Sequence, residues 1–197
     1  MSPTRPRLVL ASTSRYRRAL LERLGLPFDV AAPEVPETPL AGERPPALAA
    51  RLASAKARAV AARYPGAVVI GSDQVADLNG QALGKPGTEA VAREQLAAAS
   101  GRAVVFHTAV AVIDATGREH THTDLTTVRF RTLAPAEIAR YVELDKPLDC
   151  AGSFRSEGLG IALFEAVETR DPSALIGLPL AWVATALRDS GLDPLAP

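Results

Sequence analysis

The run Leu8-Val9-Leu10-Ala11 is continuously apolar, stops at the hydroxyl-rich Ser12-Thr13-Ser14, and gives way at once to a segment of helical period. An unbroken apolar run of this length is the mark of a strand buried on both faces. Ser14 suits an N-cap, Ala19, Leu20, Leu21 and Leu24 supply an apolar helix face, and Gly25 ends it. The order strand, polar turn, basic helix start predicts an α/β unit whose turn can meet an anion.

The rest of the chain keeps alternating. Phe28 to Ala32 reads as a second strand, and Pro33, Pro36, Pro39, Pro45 and Pro46 hold the following stretch, with Glu34 and Glu37, extended. Leu48, Leu52, Ala55, Ala59 and Val60 give helical period from Ala47 to Tyr64, placing Lys56 on that helix, and Pro65-Gly66 terminates it. Ala67 to Leu78 reads as a strand, Asn79-Gly80 as a hairpin turn, and the return strand reaches Lys85. A two-residue turn sets Gln74 opposite Lys85 and Asp73 opposite Pro86, which makes Asp73 and Lys85 near neighbours. Thr88 to Ala99, Pro135 to Leu144 and Pro179 to Ser190 read as helices, and Val104 to Asp114 and Thr126 to Arg131 as paired strands. Ala151 to Glu168 mixes glycine and serine with apolar residues. The expected fold class is α/β with a mixed α+β sheet.

Bulk properties exclude several classes. The 197 residues, 47% of them hydrophobic, fit one domain over 1–197. With 22 basic and 22 acidic residues the net charge is zero, so neither nucleic acid nor an anionic membrane is an expected partner, and an anionic ligand needs a local cluster. The single Cys150 allows no intramolecular disulfide and no typical structural zinc site, and reads as a small core residue in a reducing compartment. No apolar run approaches the roughly 20 residues of a membrane span, and Met1 to Arg7 is no signal-peptide core, so a cytoplasmic protein is expected.

Three stretches carry candidate chemistry. Ser12, Thr13 and Ser14 with Arg15, Arg17 and Arg18 join a strand to a helix start, where free N–H groups and the helix dipole attract phosphate; the same residues would equally serve as a cap and a solvated face. Asp73, at the end of a buried strand, must be paired, hydrogen-bonded or metal-bound, and either holds Mg²⁺ or activates water, or is satisfied by a turn or by Lys85. Gly84-Lys85-Pro86 lacks the Walker spacing, and a lone Lys85 is ordinarily a surface lysine. His120 and His122 share a strand face but have no evident third metal ligand.

Taken together, Leu8 to Ser14 with Arg17-Arg18, Ile70-Gly71-Ser72-Asp73-Gln74-Val75, Gly84-Lys85-Pro86, Cys150 to Phe154, Glu157-Gly158, Arg170-Asp171-Pro172 and Ile176 to Pro179 resemble the Maf family over nearly the whole chain. Ser14 to Arg17, Asp73-Gln74 and Ser153 to Gly158 look like the branch that hydrolyses 7-methyl-GTP to 7-methyl-GMP and pyrophosphate, not the branch that takes dTTP and UTP. Arg15 stands where that family usually has proline, and Pro36-Glu37 where it often has Asp-Glu. The resemblance implies an elongated fold similar to inosine-triphosphate pyrophosphatases, with a cleft between two lobes, and a homodimer. It implies Asp73 as general base, a divalent cation (Mg²⁺ or Mn²⁺) on Asp73 and Glu37 (or Glu34), phosphate contacts from Ser12, Ser14, Arg17, Lys56 and Lys85, and base specificity from Tyr16, Gln74 and Glu157. A cationic 7-methylguanine favours the Tyr16 ring and the Glu157 carboxylate, which otherwise read as a packing residue and a loop salt bridge. The competing functions are a dTTP, UTP or deaminated-purine pyrophosphatase and a non-catalytic nucleotide-binding regulator of cell division.

Overall fold

The computed structural model describes residues 5–196, so the first residues of the Met1 to Arg7 stretch lie outside the described residues. In chain order the elements are β1 (Leu8–Ala11), α1 (Arg15–Glu22), β2 (Asp29–Val30), α2 (Pro45–Ala61), β3 (Val68–Leu78), β4 (Gln81–Leu83), α3 (Glu89–Ala99), β5 (Ala103–Ile113), β6 (Glu119–Phe130), α4 (Pro135–Asp145), β7 (Phe164–Glu168) and α5 (Leu180–Asp189). The strands form one mixed sheet in the order β2-β1-β3-β5-β6-β7, with β4 paired to β3 off that path. β1 is parallel to β2 and β3, and the later pairs are antiparallel. This is the mixed α/β sheet that the alternating pattern predicts.

Period-two alternation divides the core. Leu8, Leu10, Val68, Ile70, Val110 and Val112 pack against Leu20 and Leu21 of α1 and Val183 and Leu187 of α5. Further along β3 and β5, and on β6, Ala76, Val104, Phe106, Val128 and Phe130 pack against Leu96 of α3 and Ile138 and Val142 of α4, completed by Phe154. The other face meets α2 through small residues, Ala49, Ala53 and Ala57, all buried. Their size lets α2 lie directly on β3: a Cβ built on Gly71 would stand 2.4 Å from both the Ala53 carbonyl oxygen and the Ala57 nitrogen.

The sheet has one break, and it determines where a ligand can sit. β1 stops pairing β3 at Ala11↔Gly71, and β4 starts at Ala76↔Leu83, so Ser72 to Val75 have no partner on that edge. On the other edge β3 pairs β5 without interruption from Val69↔Ile113 to Asp77↔Val105. A gap outside the carboxyl end of a parallel strand is where ligands bind in open α/β sheets.

Several expectations need correction. The second strand shrinks to Asp29–Val30, both exposed. β6 begins at Glu119, seven residues before Thr126, because it alternates exposed and buried positions and its polar face hides the strand pattern. β7, in the glycine- and serine-bearing stretch, has no strand signal at all, being a largely exposed edge. The Asn79-Gly80 hairpin forms as expected, both residues at positive φ (53° and 86°), as a type I′ turn requires. Its register would carry Gln74 to Lys85, but pairing ends at Ala76↔Leu83 and Lys85 is exposed, so Asp73 does not take Lys85 as its ion-pair partner. His120 and His122 go to separate partners, Asp114 at 3.2 Å and the Trp182 ring, stacked at 5.3 Å. Among the described residues no group of three or more His, Cys, Asp or Glu could hold a metal ion.

Asp114 closes the β5–β6 turn. It accepts from the Thr116 N–H (2.9 Å), the Thr116 hydroxyl (2.6 Å) and the Arg118 N–H (3.0 Å). Burial opposes its ionisation, but these bonds and His120 outweigh that cost and hold the carboxyl down to about 2. A depressed carboxyl contributes stability fully above its unfolded pKa, about 4, and loses it as pH falls toward the folded value. Asp114→Asn is therefore expected to unfold at lower urea at pH 7 and to lose less stability than wild type between pH 4 and 2. Parallel pH curves for the two proteins would refute the assignment.

Candidate active site

A cleft of about 780 Å³ occupies the gap beside Ser72 to Val75. The β1–α1 turn forms one wall. Ser12 accepts from the Ser14 N–H at 3.1 Å, and Ser14 caps α1 by accepting from the Arg17 N–H at 3.4 Å. Both hydroxyl oxygens thus shape the turn while their residues, with Thr13, line the cleft at the positive end of a helix. The three arginines of this stretch separate. Arg17 enters the cleft wall with its Nε donating to the Gly177 carbonyl at 2.9 Å, Arg15 lies at the mouth, and Arg18 turns outward to Glu22. Burial lowers the Arg17 pKa, countered by the charges of Asp73 and Glu37.

Asp73 is not at a strand end but in the middle of β3, on its α2 side, and buried. The buried Lys56 ammonium stands 2.7 Å from its Oδ1 and 2.7 Å from Glu37 Oε1. Glu37 reaches that position because the proline-rich segment is tied to α2: Arg51 donates to both Glu43 oxygens (2.6 and 2.8 Å) and to the Thr38 carbonyl (3.2 Å). Burial disfavours the Glu37 carboxylate, but the Lys56 hydrogen bond and charge, with Lys85 and Arg17, hold its pKa below the ordinary value. Both carboxylates are engaged by the Lys56 ammonium, so a divalent cation bound here would have to share their oxygens with that lysine. Glu34, the other acidic candidate, does not line the cleft.

On the opposite side of β3, the Gln74 amide nitrogen faces three acceptors, Thr108 Oγ1 (3.0 Å), the Ala174 carbonyl (2.9 Å) and the Leu175 carbonyl (3.0 Å). Its N–H groups are spent on the protein, which fixes the amide orientation and leaves its oxygen as the group to offer a ligand. Ser72, buried beside it, bonds the Ala109 and Gly177 carbonyls, so the turn that holds Arg17 is itself tied to β3.

The far wall comes from residues 149–157. Glu157 is exposed and, among the described residues, accepts only from the adjacent Ser156 hydroxyl at 2.8 Å. Tyr16 is half-buried, its hydroxyl 3.9 Å from Cys150 Sγ. Cys150 lines the cleft and is half-buried, so it is not a core residue; burial and Asp149 push its thiol up to about 11, which leaves it unreactive. Arg155 ion-pairs with the buried Asp145, which also accepts from the Tyr141 hydroxyl at 2.9 Å. Asp149 lies outside every motif quoted from the sequence and Arg155 inside Ser153 to Gly158 with no role read for it there; only the fold brings both to the cleft wall with Tyr16.

Of the residues proposed from sequence for the site, Ser12, Ser14, Tyr16, Arg17, Glu37, Lys56, Asp73, Gln74, Lys85 and Glu157 line this one cleft, and Glu34 and Arg18 do not. A buried carboxylate set among cations, in a cleft large enough for a phosphorylated small molecule, makes this an α/β hydrolytic enzyme. More particularly, the chain belongs to the Maf family: the profile described as Maf-like protein matches residues 7–190. A Xanthomonas oryzae pv. oryzae protein named 7-methyl-GTP pyrophosphatase is 62% identical over 186 residues, 94% of this chain and 97% of that protein. An Aromatoleum aromaticum protein of the same name is 57% identical over 187 residues, 94% of this chain and 96% of that one. The crystal structure of a nucleoside-triphosphatase, a dITP/XTP pyrophosphatase from Mycobacterium abscessus, aligns with 63% of this chain and 72% of that one, at 19% identity and a TM-score of 0.41.

Proposed function

We propose that this enzyme hydrolyses 7-methyl-GTP between the α and β phosphates, releasing 7-methyl-GMP and pyrophosphate. The observation that carries the chemistry is the convergence of Asp73 and Glu37 on Lys56 beside the N-terminus of α1. The relatives named above support the choice of nucleotide.

Asp73 takes a proton from the attacking water, and the O–P bond to the departing pyrophosphate breaks as the new one forms. Negative charge growing on that leaving group is met by Arg17, Lys56 and Lys85. In the free enzyme Lys56 neutralises Asp73; a bound triphosphate draws the ammonium away and leaves the carboxylate able to act as base. A divalent cation, Mg²⁺ or Mn²⁺, held by Asp73 and Glu37 with phosphate oxygens, supplies Lewis-acid charge neutralisation when bound.

The Gln74 oxygen and the Glu157 carboxylate are acceptors suited to the N–H edge of a guanine, and the cationic methylated ring adds attraction to Glu157 and to the Tyr16 face. An aromatic face contributes about 0.5 to 2 kcal/mol to a cation, so Tyr16 biases the choice and the acceptors must complete it. No described helix is long and apolar enough to cross a membrane, and a cytoplasmic home belongs to the same proposal. So does a dimer, which a molar mass from light scattering would test.

The decisive experiment is pyrophosphate release from 7-methyl-GTP, GTP, dTTP, UTP, CTP and ITP with Mg²⁺ or Mn²⁺. The expected result is a kcat/KM for 7-methyl-GTP at least about tenfold above GTP, the ratio that roughly 1.4 kcal/mol of selective contacts gives. Preference for dTTP or UTP would overturn the substrate assignment while keeping the reaction. Binding without turnover of any of them would point to the regulator.

A further inference from the structure

One mouth residue has no part in the chemistry above. The Arg15 guanidinium carbon lies 4.8 Å from the centroid of the Tyr16 ring, and its Nη2 donates to the Tyr16 hydroxyl at 2.7 Å. The same nitrogen stands 3.3 Å from Asp149 Oδ2. A planar, delocalised cation resting on an aromatic face and against a carboxylate makes the two contacts that a cationic methylated purine would seek. Arg15 is free to leave: its side chain is 70% exposed, whereas its neighbour Arg155 is held by the buried Asp145 and is 32% exposed.

We propose that Arg15 acts as a resident competitor in the base subsite, occupying the Tyr16 face and Asp149 until a cationic base displaces it. This deepens the 7-methyl-GTP proposal and rests on it. The product keeps the cationic base and loses only pyrophosphate, so nothing in the base contacts distinguishes it from substrate. A guanidinium that returns to Tyr16 and Asp149 opposes product retention, and substrate overcomes the same competition because its two further phosphates meet Arg17, Lys56 and Lys85. A neutral base gains little from either contact, so Arg15 weakens the binding of cationic bases selectively.

The test is calorimetric binding of 7-methyl-GMP and of GMP to the full-length wild type and to Arg15→Ala. Exposed cation–π and ion-pair contacts of this kind correspond to about a two- to fivefold change in Kd. The expected result is that Arg15→Ala binds 7-methyl-GMP tighter by that factor and GMP as wild type does. Equal changes for both ligands, no change, weaker 7-methyl-GMP binding, or no detectable 7-methyl-GMP binding by either protein would each overturn the inference. Failure of the parent proposal is seen separately, as turnover of another triphosphate in preference; the Kd ratio judges Arg15 without reference to turnover.

Discussion

Asp73→Asn is expected to lower kcat by about two to four orders of magnitude, the range that general-base catalysis contributes, with KM unchanged or lower. Asparagine keeps the shape and one oxygen that can accept from Lys56, and Glu37 remains at 2.7 Å as a second partner for the ammonium. Lys56 is not left as an unpaired buried charge, so the cost in stability stays small beside that of deleting one partner outright. Losing the negative charge also leaves the phosphate-facing cations less neutralised, which strengthens ground-state binding while removing the proton acceptor. Steady-state pyrophosphate release, with a urea melt to confirm folding, separates these effects. Wild-type turnover by a folded Asp73→Asn protein would move the base elsewhere, and a raised KM with unchanged kcat would make Asp73 a binding group.

The second large effect is structural. Gly71→Ala is expected to cost about 3 kcal/mol or more, at the upper end of overpacking effects, because the added methyl meets backbone. The Ala53 carbonyl and the Ala57 nitrogen, 2.4 Å from the new atom, cannot rotate aside as a side chain would. Relief requires α2 to lift from β3, and Lys56 lies between those two contact points, so kcat should fall even at temperatures where the variant is folded. Gly84→Ala is the control: nothing lies within 4 Å of the methyl it would add, and the urea midpoint should stay close to wild type. Equal midpoints for Gly71→Ala and wild type would mean that the helix is not seated as tightly as described.

Much of the site is legible in the sequence because its parts sit on strongly periodic elements. Leu8 to Ala11, the Ser14 cap and the Asn79-Gly80 turn occur where local chemistry puts them. The spacing of Leu48, Leu52 and Val60 places Lys56 on a helix, but not over Asp73, because that depends on the closeness that Gly71 and the α2 alanines permit. The acid's true partner escapes the sequence for a related reason: hairpin register is local, and nothing local says where the ladder stops. β6 reads short because its first half, with Glu119, His120, His122 and the outward-facing Thr121 and Thr123, is filled with polar residues that mask the strand. The Arg15–Asp149 contact joins positions 134 residues apart and leaves no trace in either segment.

The break in pairing along β3 has a mechanical side. The two halves of the core on either side of it are bridged by strands that run through both, with β3 and β5 hydrogen-bonded over the whole span. Such halves cannot swing apart on a loop hinge; spreading them would mean bending or unzipping that ladder, which is far costlier than moving a few surface side chains. The floor of the pocket therefore keeps a nearly constant width through a catalytic cycle, and adjustment to a nucleotide falls to the rim.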